Sequence, residues 1–309
     1  MQCKRYILGW LFILLAMAGT LEIQAQQDAM HTQYMFNTLM YNPAYAGSRD
    51  AFSAAAIYRH QWHNFDGAPK TGSVTLHGPV RDKYGLGLSL QYDSWGVHDW
   101  GLVEGSYAYR FYLTPTVKLS AGIQASMLYQ QSNYTLVNSN TDNIDPTFMQ
   151  DESRILPNFG AGLFLYSNRY YVGLSIPHIL NNKLSALSQN AQQNRHYYLA
   201  AGIVLPLSNS LELKPSVLVK SVGSFAPTQA EINANLYIQK VVWVGATYRT
   251  GDSFDFLFGV QINPSLRFGY AFDLTTTEIR QEAPGGTHEI MIGYDFNVGR
   301  ERVVTPRYF

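Results

Sequence analysis
From residue 51 onward, apolar and polar positions alternate with a period of two, segment after segment. In 116–130 the apolar set is Val117, Leu119, Ala121, Ile123, Ala125, Met127 and Tyr129. Lys118, Ser120, Gly122, Gln124, Ser126 and Gln130 fall between them, with Leu128 as the one break. In 102–113, Val103, Tyr107, Tyr109, Phe111 and Leu113 oppose Glu104, Ser106 and Arg110. Phe254, Phe256, Phe258, Val260 and Ile262 alternate with Asp255, Gly259 and Gln261; Ile290, Ile292, Tyr294, Phe296 and Val298 alternate with Glu289, Asp295 and Asn297. Successive strand residues point to opposite faces, so each segment has one apolar and one polar face. Fourteen strands are predicted, near 51–60, 70–78, 84–93, 101–113, 116–132, 157–166, 169–176, 196–206, 210–221, 227–239, 240–250, 252–262, 264–274 and 287–298.

Every second connection is short: 79–83, 114–115, 167–168, 207–209, the Gln239-Lys240 junction and Asn263-Pro264. The others are mostly longer: 61–69, 94–100, 133–156, 177–195, 222–226 and 275–286, with the link at Gly251 as the exception. Short turns on one rim and long loops on the other are what an outer-membrane barrel requires, the short ones lying in the periplasm. A soluble β-sandwich also alternates, but it has no reason to alternate its connection lengths. Aromatics stud the strand ends at Tyr84, Trp95, Trp100, Tyr112, Tyr129, Tyr166, Tyr170, Tyr197 and Trp243, positions suited to girdles at the two membrane interfaces. Closure leaves no unpaired backbone edge in hydrocarbon. The expected fold is all-β: a transmembrane outer-membrane β-barrel of about 14 antiparallel strands over 51–298, in contact with the lipid bilayer, with a short plug-like segment before it.

The composition agrees. Charged residues make up 14% of the chain, against about 25% in soluble domains. Tyrosine is abundant, at 22, yet the mean hydropathy of -0.13 is too low for a bundle of membrane helices. Zero formal net charge gives no reason to expect nucleic acid as a partner.

The ends differ from the barrel. Lys4 and Arg5, the apolar stretch Tyr6 to Leu21 and the small residue Ala25 form the pattern of a secretory signal peptide over 1–25. Cys3 lies before the apolar stretch, so it is not a lipoprotein cysteine, and the mature chain would contain no thiol. In 26–50, Tyr34, Leu39 and Met40 fall loosely at helical spacing until Asn42-Pro43 breaks any helix. This segment is expected to pack at the periplasmic mouth, because its Tyr, Met and Phe residues need a partner surface. Gly293, Phe296 and Val298 fit a terminal barrel strand, and a tail follows over 299–309.

No catalytic signature is present: no G-x-S-x-G, no H-E-x-x-H and no phosphate loop. No enzyme activity and no cofactor are expected. Gly85 and Gly87 sit inside a strand, where glycine makes room for packing. His60, His63 and His98 could meet near one rim, although water-exposed loop histidines are the simpler reading. Asn138, Asn140, Asp142 and Asp145 offer oxygens for calcium, but the glycine of a tight calcium loop is missing. The inward-facing set comprises Glu104, Arg110, Lys118, Gln124, Glu212, Lys214, Lys220, Glu231, Asn233, Arg249, Asp255, Arg267, Asp273, Glu289 and Asp295. Its mixed signs point to a lumen filled by paired side chains and a plug, since a selective pore shows rings of one sign.

The stretch QYMFNTLMYNPAYAGS, Gln33 to Ser48, resembles the opening of the PorP/SprF family of type IX secretion system membrane proteins of Bacteroidetes. Its core is Asn42, Pro43, Ala44, Tyr45, Ala46 and Gly47. YRHQWHNFDGAPKT, Tyr58 to Thr71, and the ending Thr305, Pro306, Arg307, Tyr308, Phe309 resemble the same family. The resemblance implies an outer-membrane barrel that works with the type IX secretion machinery to export or anchor a large surface protein such as an adhesin. It also implies contact, for some members, with the periplasmic ring and motor. Trp62, Trp95 and Trp100 are the candidate partner contacts, because tryptophan dominates binding hot spots; membrane-interface anchoring is the alternative role for them. The rival function is an uptake channel for small or hydrophobic compounds.

Overall fold
The computed structural model describes residues 30–49, 51–136, 150–184, 192–222 and 227–296. The expected signal peptide, the Asn138–Asp145 oxygens and the Pro306–Phe309 ending lie outside these residues.

The strands are β1 (Phe52–His60), β2 (Lys70–Arg81), β3 (Tyr84–Trp95), β4 (His98–Tyr112), β5 (Lys118–Ser132), β6 (Glu152–Tyr166), β7 (Tyr170–Ile176), β8 (Tyr197–Ile203) and β9 (Leu205–Pro206). They continue as β10 (Leu211–Ser221), β11 (Gln229–Ile238), β12 (Val242–Arg249), β13 (Ser253–Gln261), β14 (Leu266–Thr275) and β15 (Thr287–Phe296). All belong to one 15-stranded antiparallel sheet. β8 and β9 pair in turn with β10 and are separated only by Val204, so they form one stave and the wall has fourteen. β1 pairs with β2 on one side and with β15 on the other, through Phe52↔Phe296 to His60↔His288, which closes the barrel.

The alternation in the sequence is the alternation of the wall. On β5, Ser120, Gln124, Ser126 and Gln130 are buried toward the lumen while Ile123, Met127 and Tyr129 are exposed on the outer face. Tyr84, Tyr112 and Tyr170 face outward near the short-turn rim; Tyr58, Tyr92, Tyr129 and Tyr197 do so near the other. The girdle expectation is corrected at four positions. Tyr166 and Trp243 are buried in the lumen. Trp95 and Trp100 share the face of the lumenal residues Asp93 and Gln130, to which Trp100 is register-paired.

The connection 94–100 is also corrected. Gly96 takes a left-handed φ of 55°, so Gly96-Val97 alone makes the turn, and β3 and β4 run on to the pair Trp95↔His98. β6 likewise starts at Glu152, inside the expected loop 133–156. β4, β5 and β6 each have 15 residues. At about 3.3 Å per residue and a tilt near 40°, each rises roughly 38 Å, against an apolar band of about 25 Å. Their outward faces turn polar at the register-matched Asp99, Gln131 and Ser153. The surplus therefore stands above the bilayer on the long-loop rim, the one that outer-membrane barrels turn to the cell exterior.

Candidate functional site
Residues 30–49 lie inside the barrel. They form no α-helix. Three short 3-10 turns, Tyr34–Phe36, Thr38–Met40 and Pro43–Tyr45, follow one another. The helical spacing of Tyr34, Leu39 and Met40 misled because nearly the whole segment is enclosed: of residues 30–49 only Met30 and Met40 are half-buried, beneath the exterior cavity. Arg49 pairs with Asp295 at the periplasmic end of β15. Thr32 bonds to Asp273 and Glu289 near the exterior ends of β14 and β15. The chain thus runs the length of the lumen.

Each residue of Asn42–Gly47 has a distinct task. The Asn42 side chain accepts from the Ala44 N–H at 2.9 Å and caps the turn. Its amide nitrogen donates to the carbonyl of Leu163 at 3.0 Å, fastening the turn to β6. Pro43, at the first position of the turn, presets φ. Ala44 and Ala46 are fully buried against backbone. A Cβ built on Gly122 would stand 2.3 Å from the Ala44 nitrogen, on Gly162 2.1 Å from Asn42 Oδ1, and on Gly85 2.1 Å from the Ala46 oxygen. The glycines of β3, β5 and β6 are therefore a mould for this turn. The Tyr45 ring packs edge-on against Phe164 with centroids 5.3 Å apart, and 5.0 Å from His77. Gly47, at φ +73°, reverses the chain toward β1. Its N–H donates to His77 Nδ1 at 3.1 Å and its carbonyl accepts from Arg110 at 2.9 Å.

The other wall holds the segment by charge. Arg59 pairs with Asp273 at 2.8 Å and with Glu289 at 3.2 Å. Arg249 pairs with Glu231 at 3.1 Å and Asp252 at 2.9 Å. Thr32 sits in the middle: its hydroxyl donates to Asp273 at 2.7 Å and accepts from Arg59 at 2.9 Å and Arg249 at 3.1 Å. The N–H groups of Thr32 and Gln33 both donate to the Glu289 carboxylate, at 2.9 and 2.8 Å. Lower down, Asp295 takes Arg49 and Arg267, each at 3.1 Å. Between the two ends, Phe36 packs on Trp243 at 5.1 Å and lies 5.8 Å from the Lys214 ammonium. Buried charges of this kind persist because each arginine is paired with carboxylates and each of these carboxylates with an arginine. The predicted inward set does face inward; Lys118 and Glu212 are the half-buried members.

Above the segment, on the exterior side, is a cavity of about 670 Å³. Trp62, Trp95 and Trp100 all line it, although 62 lies far from 95 and 100 in sequence. Trp95 and Trp100 meet at 4.8 Å with their planes at 68°. The three expected histidines separate. His60 Nδ1 lies 3.3 Å from His63 Nδ1, and His63 packs edge-on against His288, not against His98. His98 instead bonds to Ser132 Oγ at 2.8 Å. Among the described residues no three His, Cys, Asp or Glu side chains are arranged to hold a metal ion.

Sequence reasoning found the packing role of Gly85 and Gly87 but missed Gly122, Gly162 and the Thr32 hub. A signal for the glycines existed: Gly85, Gly87, Gly122 and Gly162 all fall at lumen-facing positions of their strands, where a barrel filled by its own wall would carry large side chains.

Among solved structures, the chain is similar to the Ralstonia pickettii toluene transporter TbuX, with 10% identity over 84% of this chain and 93% of that one and a TM-score of 0.51. It is also similar to the CymD monoaromatic hydrocarbon channel, with 10% identity over 88% and 95% and a TM-score of 0.50. At that identity the likeness concerns the fold alone. No curated protein matches the sequence. The signature of the family described as type IX secretion system membrane protein PorP/SprF matches residues 23–294. With the closed barrel and the docked Asn42–Gly47 turn described above, this places the chain in the outer membrane as a member of the PorP/SprF family.

Proposed function
We propose that this barrel is a non-enzymatic component of type IX secretion that assists the export or surface anchoring of a large cell-surface protein. The observation that carries the reading is what the family motif is used for. Asn42 to Gly47 occupy the lumen, and each contacts a wall residue shaped or charged to receive it. A pore for small solutes needs that space. Residues 30–49 serve as a plug, and the working surface is the exterior rim, where Trp62, Trp95 and Trp100 are the contact residues for the partner. Uptake of a small or hydrophobic compound is the second reading, favoured by the exterior cavity.

Deletion of the gene separates the two. The expected result is loss of a large protein from the cell exterior, with small-solute and hydrocarbon uptake unchanged. An unaltered set of surface proteins together with reduced uptake of one compound class would establish the channel instead.

A further inference from the structure
We propose that the exterior cavity is a binding site for a neutral oligosaccharide of two or three sugar units. Its volume of about 670 Å³ lies within the range of small-ligand sites, roughly 300–1,000 Å³. Its walls combine flat aromatic faces with amides: Trp62, Trp95 and Trp100 alongside Gln91, Gln130 and Asn194. The C–H face of a pyranose stacks on an indole because weakly positive hydrogens meet the negative ring face. Its hydroxyls both donate to and accept from amides.

Two polar atoms in this wall ask for such a ligand. Gln130 is 8% exposed and its Oε1 has no hydrogen-bond partner. Trp100 Nε1 is buried and also lacks one. The two residues are direct cross-strand neighbours on the lumenal face, so adjacent side chains offer one acceptor and one donor, and a sugar hydroxyl satisfies either kind. An aromatic hydrocarbon would leave both unpaired, and an unmet buried polar group opposes binding. The charge argues for a neutral ligand: of the three lining carboxylates, Asp93 accepts from Thr71, Glu104 accepts from Gln124 and Asp252 pairs with Arg249, so each is already engaged within the wall. Arg249 is the one arginine or lysine among the lining residues, and Glu231 and Asp252 already neutralise it. The inner end is lined by Met30, Met40 and Tyr41 of the lumenal segment, so the ligand is held at the cell exterior rather than passed inward. A free oligosaccharide and a glycan carried on a protein share this chemistry.

The test uses the full barrel purified in an amine-oxide detergent, which has no sugar headgroup. Neutral trisaccharides of glucose, of mannose and of N-acetylglucosamine are titrated in, and tryptophan fluorescence and calorimetry are recorded. A glycopeptide bearing the best of these forms a second arm, and tighter binding of it than of the free sugar identifies a protein-borne glycan as the source. Saturable binding with Kd near or below about 1 mM is expected for at least one sugar. Trp100→Ala should weaken it about tenfold or more, and Gln130→Leu should weaken it without removing an aromatic face. If Trp100→Ala does not fold, Trp100→Phe, which keeps a ring and loses the N–H, takes its place. The proposal fails if no trisaccharide saturates the site below about 10 mM. It fails equally if binding is indifferent to these substitutions, or if toluene or an unglycosylated peptide binds the site while sugars do not.

Discussion
The two sides of the barrel hold the same inner segment by different physics. On β3 to β7 the wall is carved: glycines let the backbone of Asn42–Gly47 come within contact of the strand backbone, and the forces are packing and a few hydrogen bonds, with Arg110 the charged donor among them. On β1 and β12 to β15 the wall is charged: Arg59, Arg249, Glu289 and Asp273 close around Thr32. A packed contact tolerates no added volume but survives the loss of a polar atom. A buried ionic contact reverses this, because removing one partner strands the others in a dry interior. The lumenal segment is held in both ways at once, by shape on one side and by charge on the other.

Substitutions that act on one side only can break this contrast. Arg249→Ala removes the partner of Glu231, Asp252 and the Thr32 hydroxyl at once, and should cost about 3–5 kcal/mol. Urea unfolding of the barrel in detergent, followed by circular dichroism, measures it; a loss below 1 kcal/mol would mean the hub is wet. Gly122→Val adds volume where a Cβ already overlaps the Ala44 backbone, and should cost about 1–3 kcal/mol while releasing the segment. Protease digestion of the folded barrel should then cleave within 30–49 faster than in the parent, whereas equal rates would argue against the mould. Thr32→Val keeps the shape and removes the hydroxyl, at about 1–3 kcal/mol and toward the lower end if water enters. The smallest effect belongs to Lys240→Ala at the periplasmic turn, whose 3.4 Å pair with Glu212 is half exposed; it should change stability by less than about 1 kcal/mol. The orientation underlying all of this is checked with epitope tags. A tag beside Asp66 should be reached by antibody on intact cells and one beside Asn209 should not, and the opposite labelling would invert the barrel.

How much of this was legible beforehand differs from element to element. The period-two pattern located every stave, because a strand in a bilayer has lipid on one side and lumen on the other, and the residue types must follow. Edges were less legible where strands rise out of the membrane: the extra turns of β4 and β6 no longer face lipid, so Asp99 and Ser153 look like loop. Tyr166 and Trp243 were misassigned to the girdles because an aromatic ring at a strand end serves an interface or a plug equally well, and only the face it takes distinguishes the two.

The local sequence determined the strands, their order and which rim carries the long connections, since these depend on each residue's immediate surroundings and on connection length. It also determined that Asn42-Pro43 would make a turn. Only the tertiary structure decided where that turn goes. The fit depends on Gly85, Gly122 and Gly162 meeting Asn42, Ala44 and Ala46, and the hub depends on Arg59, Arg249, Asp273 and Glu289 converging on Thr32. These residues are brought together by closure of the sheet, through the pairing of β1 with β15. Closure is a property of the whole circuit of strands and is written in no single segment of the chain.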